Sequence, residues 1–181
     1  MRDVKIASLY EGTNGIQALD LLGRKMRVKH GGLFLTWLQE TNGQLERLKG
    51  HAELGKIAVE VDGAKNALAE AAFSFTTLGK QDPEYPLLHA TPYLRMFGLV
   101  ESARLLLEQA DISYEKLTAL WAARSIDAGD KAARQELAAS HDDARFFEGK
   151  LATAAFFAHQ LLPEVGGLLK SIKSQDRSAL D

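Results

Sequence analysis

The residues best equipped for chemistry lie near the N-terminus, in the run Tyr10-Glu11-Gly12-Thr13-Asn14-Gly15. A glutamate beside a glycine, just ahead of an apolar-periodic stretch, can act as a general base. Its reference pKa of about 4.3 rises toward neutrality when the carboxylate is buried against apolar groups. Gly12 lets a reacting molecule come close to the main chain, which any side chain would obstruct. The same residues also describe an ordinary exposed carboxylate at a helix start, stabilised by the helix dipole. Composition alone favours that plainer reading, and the wider sequence context reverses it.

Other titratable groups offer less. Asp142-Asp143 could be paired catalytic carboxylates, but two acids at a helix start read better as solvated partners of the dipole. His141 and His159 lie far apart on one helical stretch, with no acid at metal-ligand spacing, and read as surface or edge residues. No metal site is expected. His89 falls in the turn before Thr91-Pro92 and has no recognised partner. Phe73, Phe75, Phe146, Phe147, Phe156 and Phe157 could line an apolar ligand pocket, with core packing the stronger expectation. Where phenylalanines are paired, one ring falls off the helical seam, where a further domain or a second subunit could cover it. Trp37 and Trp121 read as core residues or as marks of an inter-subunit face.

The chain has 181 residues, enough for one sizeable domain, and 46% of them are hydrophobic. Twenty-two basic residues against 24 acidic ones give a net charge of −2, which offers no footprint for nucleic acid or an anionic membrane. Without cysteine there is neither a disulfide framework nor a thiolate metal site. No apolar stretch reaches membrane-spanning length, and the N-terminus lacks a secretion-signal pattern. A cytoplasmic location and no membrane span are the expectations.

The elements that must position these residues are helical, since apolar residues recur at three- and four-residue steps and no strand-like alternation is sustained. A first helix is predicted from Thr13, whose hydroxyl suits an N-cap, with Ile16, Leu19, Leu22 and Met26 on one face and Gly31-Gly32 ending it. Asp20 and Arg24 sit one turn apart on its surface. A second is predicted over 33–48, with Phe34, Leu38, Thr41, Leu45 and Leu48 inward and Asn42-Gly43 as a weak point. The third, over 52–78, carries Leu54, Ile57, Val61, Ala64, Leu68, Ala71, Phe75 and Leu78 as a heptad-like seam. Thr91-Pro92 predicts an N-cap and first position for a fourth, with Tyr93, Met96, Leu99, Ala103, Leu106 and Ala110 inward. A short piece over 114–123 follows, then a polar loop over 125–130. The last long helix starts between Lys131 and Asp142, with Ser140 and Asp143 as a candidate capping box. It carries Phe147, Leu151, Ala154, Ala158, Leu161, Val165, Leu168 and Ile172 inward, with a kink at Pro163 and a frayed tail from Ser174. The expected fold is an all-α, up-and-down helical bundle of four to five long helices.

Residues 2–26 closely resemble the catalytic segment near the end of acyl-CoA dehydrogenases: Arg2-Asp3, Ile6, Leu9-Tyr10-Glu11-Gly12-Thr13-Asn14-Gly15-Ile16-Gln17-Ala18-Leu19-Asp20-Leu21, Gly23-Arg24-Lys25. A looser likeness covers 92–98 and 147–163. The Asn14-Gly15 form resembles a subgroup with a long C-terminal helical extension, which includes bacterial fatty-acyl-CoA dehydrogenases and the dehydrogenase of 3-methylmercaptopropionyl-CoA. By this resemblance Glu11 is the base that removes the α-proton of an acyl-CoA thioester, and its backbone N–H faces the thioester oxygen. Gly12 contacts the substrate, and Thr13, Asn14 and Gly15 lie against FAD. The resemblance implies two parts: 1–30 as the catalytic loop and last helix of the dehydrogenase core, and 31–181 as a helical extension domain. It implies the C-terminal piece of a larger flavoenzyme, with acyl-CoA and an electron-transfer acceptor as partners, a homo-oligomeric assembly, and no activity or bound flavin in isolation. The alternative is a non-enzymatic helical module for oligomerisation or partner docking. A membrane-surface role is not favoured, because no helix has a strongly basic polar face.

Overall fold

The computed structural model describes residues 13–180. Glu11 and Gly12 therefore lie outside the described residues. All regular structure among those described is helical: α1 (Asn14–Gly23), a 3-10 segment (Lys25–Gly31), α2 (Gly32–Lys49), α3 (Gly55–Gln81), the short α4 (Tyr85–Leu88), α5 (Ala90–Ala122), α6 (Lys131–Ser140), α7 (Asp142–Phe156), a π turn (Phe157–Leu161) and α8 (Glu164–Lys173). Four rods make the bundle, namely α2, α3, α5 and the kinked α7–α8. The α5 helix runs down the middle, packed against α7, α1, α3 and α8, while α3 is bracketed by α2, α5 and α8.

The core is the set of residues that the three- and four-residue steps bring inward. Leu54 at the N-cap of α3 and Ile57, Val61, Leu68, Ala71 and Phe75 on it are buried as expected. On α2 the buried set is Phe34, Thr41, Leu45 and Leu48, and the Thr41 hydroxyl donates to the Trp37 carbonyl at 2.7 Å. Asn42-Gly43 does not break α2. The Asn42 side-chain oxygen Oδ1 accepts from buried Lys65, whose ammonium also reaches Asp62 at 2.6 Å. Tyr85 fixes α4 to the end of α8, its hydroxyl donating to the Ile172 carbonyl at 2.9 Å.

Several boundaries and faces differ from the sequence expectation. The first helix stops at Gly23, well before Gly31-Gly32, and the chain turns through Lys29, His30 and Gly31 with φ of 51°, 56° and 86°. Only glycine adopts such values without strain, so Lys29 and His30 carry a conformational cost that Gly31 does not. Thr13 takes the N-cap position of α1 without a side-chain cap. Its ψ of 33° is far from the extended value that aims an N-cap hydroxyl at the first-turn N–H groups. The fourth helix begins at Ala90 rather than at Pro92, which still falls in the first turn where a missing N–H costs nothing. It continues through 111–113 without a break. Ser113 donates to the Gln109 carbonyl at 2.7 Å and Asp111 pairs with Arg47 at 2.8 Å, so neither polar group competes with the helix. Along it Val100 and Leu107 are buried in place of Leu99 and Leu106.

The region after the 125–130 loop is two helices. Asp130 caps α6, its carboxylate accepting from the Ala133 N–H at 3.0 Å. His141, not Ser140, caps α7, with Nδ1 accepting from the Ala144 N–H at 3.4 Å. The Ser140 hydroxyl is turned back onto the Glu136 carbonyl at 3.0 Å. At Pro163 the rod kinks without stopping, and the kink carries a π turn in which the Leu162 N–H bonds the Phe157 carbonyl at 3.0 Å. The wider turn makes room for the proline ring and inserts one residue into the seam. Leu162, 2% exposed, is thereby the buried leucine, and Leu161 is 42% exposed.

Candidate functional site

The segment singled out for chemistry leads into α1. Thr13, Asn14 and Gly15 stand exposed at the N-terminus of this helix. The Thr13 carbonyl accepts the Gln17 N–H at 2.8 Å, which sets the first turn. No acidic residue lies in that turn, whose N–H groups carry the positive end of the helix dipole. Among the described residues, a Cβ on Gly15 would meet nothing within 4 Å.

One turn further on, Asp20 is committed elsewhere. Its carboxylate accepts from Arg24 at 2.5 and 2.8 Å and lies 3.4 Å from Lys25. The Arg24 hydrogen bond holds this carboxyl below the usual carboxylate range. A carboxylate so paired is a poor proton acceptor near neutral pH.

The expected inward face of α1 is only half realised. Ala18 and Leu22 are buried against α5 and its neighbours, but Ile16 is 63% and Leu19 45% exposed. The apolar stripe that the sequence placed on one face is thus split between this bundle and open surface.

Among the other candidates, Asp142 and Asp143 are exposed in the first turn of α7, and Asp142 pairs with Arg145 at 2.8 Å. His159 is exposed. His89 is buried against Tyr85, with Nε2 lacking a hydrogen-bond partner, and burial lowers its pKa. No group of three His, Cys, Asp or Glu among the described residues could hold a metal ion. No helix of the described residues is long and apolar enough to cross a membrane. Of the phenylalanines, Phe75 is core, Phe147 and Phe157 are half-buried, and Phe73, Phe146 and Phe156 are exposed. Trp121 is fully buried, and half-buried Trp37 lies between Phe34 and Phe97, with ring centres at 5.7 and 5.0 Å.

A feature the sequence did not announce lies at the other end of α1. A cavity of about 630 Å³ opens between the 3-10 segment, the C-terminal half of α3, and α4. Its walls include Met26, Phe34, Leu35, Phe73, Phe75 and Leu87. Packing of α4 on α3 is close at its floor, where a Cβ on Gly79 would lie 3.1 Å from the Pro86 ring. None of Thr13, Asn14 and Gly15 lines it. The local signal was Phe73 and Phe75 two residues apart, but the facing wall comes from residues about 40 positions away and has no sequence signature.

Comparison with known proteins fixes the family. A family profile described as "Acetyl-CoA dehydrogenase C-terminal like" matches residues 37–181. A butyryl-CoA dehydrogenase of Syntrophomonas wolfei is 33% identical over 180 residues, which is 99% of this chain and 27% of that protein. The 3-methylmercaptopropionyl-CoA dehydrogenase of Ruegeria pomeroyi is 34% identical over 167 residues, 90% of this chain and 24% of that protein. A broad-specificity linear acyl-CoA dehydrogenase of Mycobacterium tuberculosis is 31% identical over 192 residues, 100% of this chain and 28% of that protein. The chain thus spans about a quarter of the length of the curated relatives it matches. With a family match over residues 37–181, and with full-length dehydrogenases aligned through the segment before it, the chain belongs to the acyl-CoA dehydrogenase C-terminal family.

Proposed function

We propose that this chain is the part of an FAD-dependent acyl-CoA dehydrogenase that supplies the catalytic base, and that Glu11 is that base. The observation that carries the reading is the Tyr10-Glu11-Gly12-Thr13-Asn14-Gly15 run, placed directly ahead of an exposed helix N-terminus with no acid of its own in the first turn. The Glu11 carboxylate takes the α-proton of the thioester, and its backbone N–H donates to the thioester carbonyl oxygen as charge develops there. Gly12 keeps the main chain bare beside the substrate. Flavin, when bound, supplies the acceptor for the β-hydride. Thr13, Asn14 and Gly15 fit one margin of such a site, since exposed residues at a helix N-terminus suit an anionic or carbonyl edge. They cannot enclose a flavin, so most of the FAD contacts belong to other parts of a longer polypeptide.

In this reading residues 1–30 form the catalytic loop and last helix of the dehydrogenase core, and 31–181 its helical extension. The exposed Ile16 and Leu19 support this division, because the last helix of a larger core would bury them against the rest of it. Exposed Phe146 and Phe156 on α7 support self-association of the full protein. A cytoplasmic location, acyl-CoA as substrate and a separate electron-transfer acceptor complete the proposal.

By itself the chain is expected to bind no flavin and to turn over no acyl-CoA. Joined to the flavin- and substrate-binding parts of its polypeptide it is expected to do both. Flavin absorbance and acyl-CoA-dependent dye reduction, measured on the two proteins side by side, check this. Stoichiometric FAD on the isolated chain, or a joined protein whose turnover is untouched by Glu11→Gln, would overturn the reading.

A further inference from the structure

We propose that the cavity between the 3-10 segment, α3 and α4 is a binding site for a medium- or long-chain fatty-acid carboxylate, separate from the Glu11 segment. The proposal does not depend on the catalytic reading.

The walls are apolar and aromatic, and at about 630 Å³ the space is in the range of small-molecule sites. Phe34, Phe73 and Phe75 give a slot for a linear alkyl chain. The charged side chains that line it, by contrast, are of one sign. Arg27 and Lys80 line the cavity together with His30, and no aspartate or glutamate does. Neither cation has a carboxylate within ion-pair reach among the described residues. The acids next to Lys80 in sequence are engaged elsewhere: Asp82 is paired with Arg177, and Glu84 lies 4.0 Å from the same guanidinium. An apolar slot with two cations and no counter-charge is complementary to an alkyl chain ending in one anion.

The backbone strengthens the case. Arg27 and His30 are carried by the 3-10 segment, which passes through Lys29, His30 and Gly31 in left-handed conformation. Two of these are not glycine, and such conformations cost free energy. That strain is concentrated where one wall of the cavity is made. A single carboxylate suits this site better than a nucleotide-bearing thioester, whose bulk would have to remain outside while only its acyl chain entered.

Equilibrium dialysis of the purified chain against radiolabelled dodecanoate, below its micelle concentration, tests the proposal. Saturable binding near one molecule per chain is expected. Arg27→Gln combined with Lys80→Gln, both on exposed residues, should weaken it about tenfold, and Thr76→Trp, which fills the mouth, should abolish it. Lys116→Gln, remote from the cavity, should leave it unchanged. Trp37 stacks on the cavity residue Phe34, so its emission should shift on saturation in the wild-type chain and not in the Thr76→Trp variant. The proposal is overturned by absence of saturable binding, by equal binding of dodecyltrimethylammonium, or by insensitivity to both sets of variants. Binding of dodecanoyl-CoA in preference to dodecanoate would overturn the assignment to a free fatty acid.

Discussion

Arg134 lays its guanidinium 4.3 Å over the Trp121 ring, between Glu53 and Glu148, and donates to the Ala128 carbonyl at 3.0 Å. One side chain thus ties α6 and the 125–130 loop to α5, α7 and the turn before α3. Burial of the guanidinium works against its charge, and the two carboxylates outweigh that penalty, leaving its pKa raised. Arg134→Ala leaves the Ala128 carbonyl and both acids without their donor. The expected cost is about 1–3 kcal/mol, read as a lower denaturant midpoint; an unchanged midpoint would show that the cluster is solvated rather than structural. Glu101 makes a pH prediction. Desolvation raises its carboxyl, but the Arg104 guanidinium at 2.7 Å and the Trp37 N–H at 2.9 Å outweigh this and hold it low. A depressed folded-state pKa gives stability that is present above the unfolded value and lost as pH falls through the folded one. Stability should therefore decline below about pH 4.3, and Glu101→Gln should flatten that decline. An equally steep fall in the variant would remove Glu101 from the account of acid lability. The Arg134 cluster and the Trp37 contact to Glu101 were not legible in the sequence, whereas Glu101 and Arg104 lie one turn apart. Arg134 and Glu53 are 81 residues apart, as set by helix packing, and nothing local marks them as partners. Asp20 and Arg24, one turn apart, were legible for the opposite reason.

Helix existence and most inward faces followed from periodicity alone, because α3 and the early part of α7 keep unbroken three- and four-residue steps. The departures come where the backbone changes its turn. The π turn ahead of Pro163 adds one residue, so the seam runs Ala154, Ala158, Leu162, Val165 and not through Leu161. Leu162→Ala should cost about 2–5 kcal/mol, as buried leucines do. Leu161→Ala should stay within about 0.5 kcal/mol, as surface changes do. Denaturant midpoints of the two variants decide it, and the reverse order would restore the unshifted seam. The merging of the fourth helix with the 114–123 piece was hidden by Asp111 and Ser113, which look like loop residues until Arg47 and the Gln109 carbonyl occupy them. On α1 the apolar stripe was read correctly as a stripe, yet part of it faces away from this bundle.

Taken whole, the described residues form a helical bundle with an incompletely covered first helix. Its long rods bury a continuous core, while Ile16 and Leu19 remain on the surface next to the exposed backbone of Thr13 to Gly15. An Ile16→Ser, Leu19→Ser chain should keep the denaturant midpoint of the parent chain to within about 0.5 kcal/mol, whereas the same pair in the full dehydrogenase should lower both stability and flavin retention. A large loss in the isolated chain would mean that these residues pack on the bundle itself. The role proposed for Glu11 rests on the flanking motif, since a single glutamate before a helix carries no signal by position alone. The most direct test is the rate of anaerobic flavin bleaching by acyl-CoA in the full polypeptide carrying Glu11→Gln, compared with wild type and Asp20→Asn. Glutamine keeps the shape and the backbone donor but cannot take the α-proton. Bleaching in Glu11→Gln should slow by at least the factor of about 10²–10⁴ typical of a positioned general base, with flavin content retained and Asp20→Asn near wild type. An unchanged bleaching rate in Glu11→Gln would contradict the assignment of Glu11 as the base.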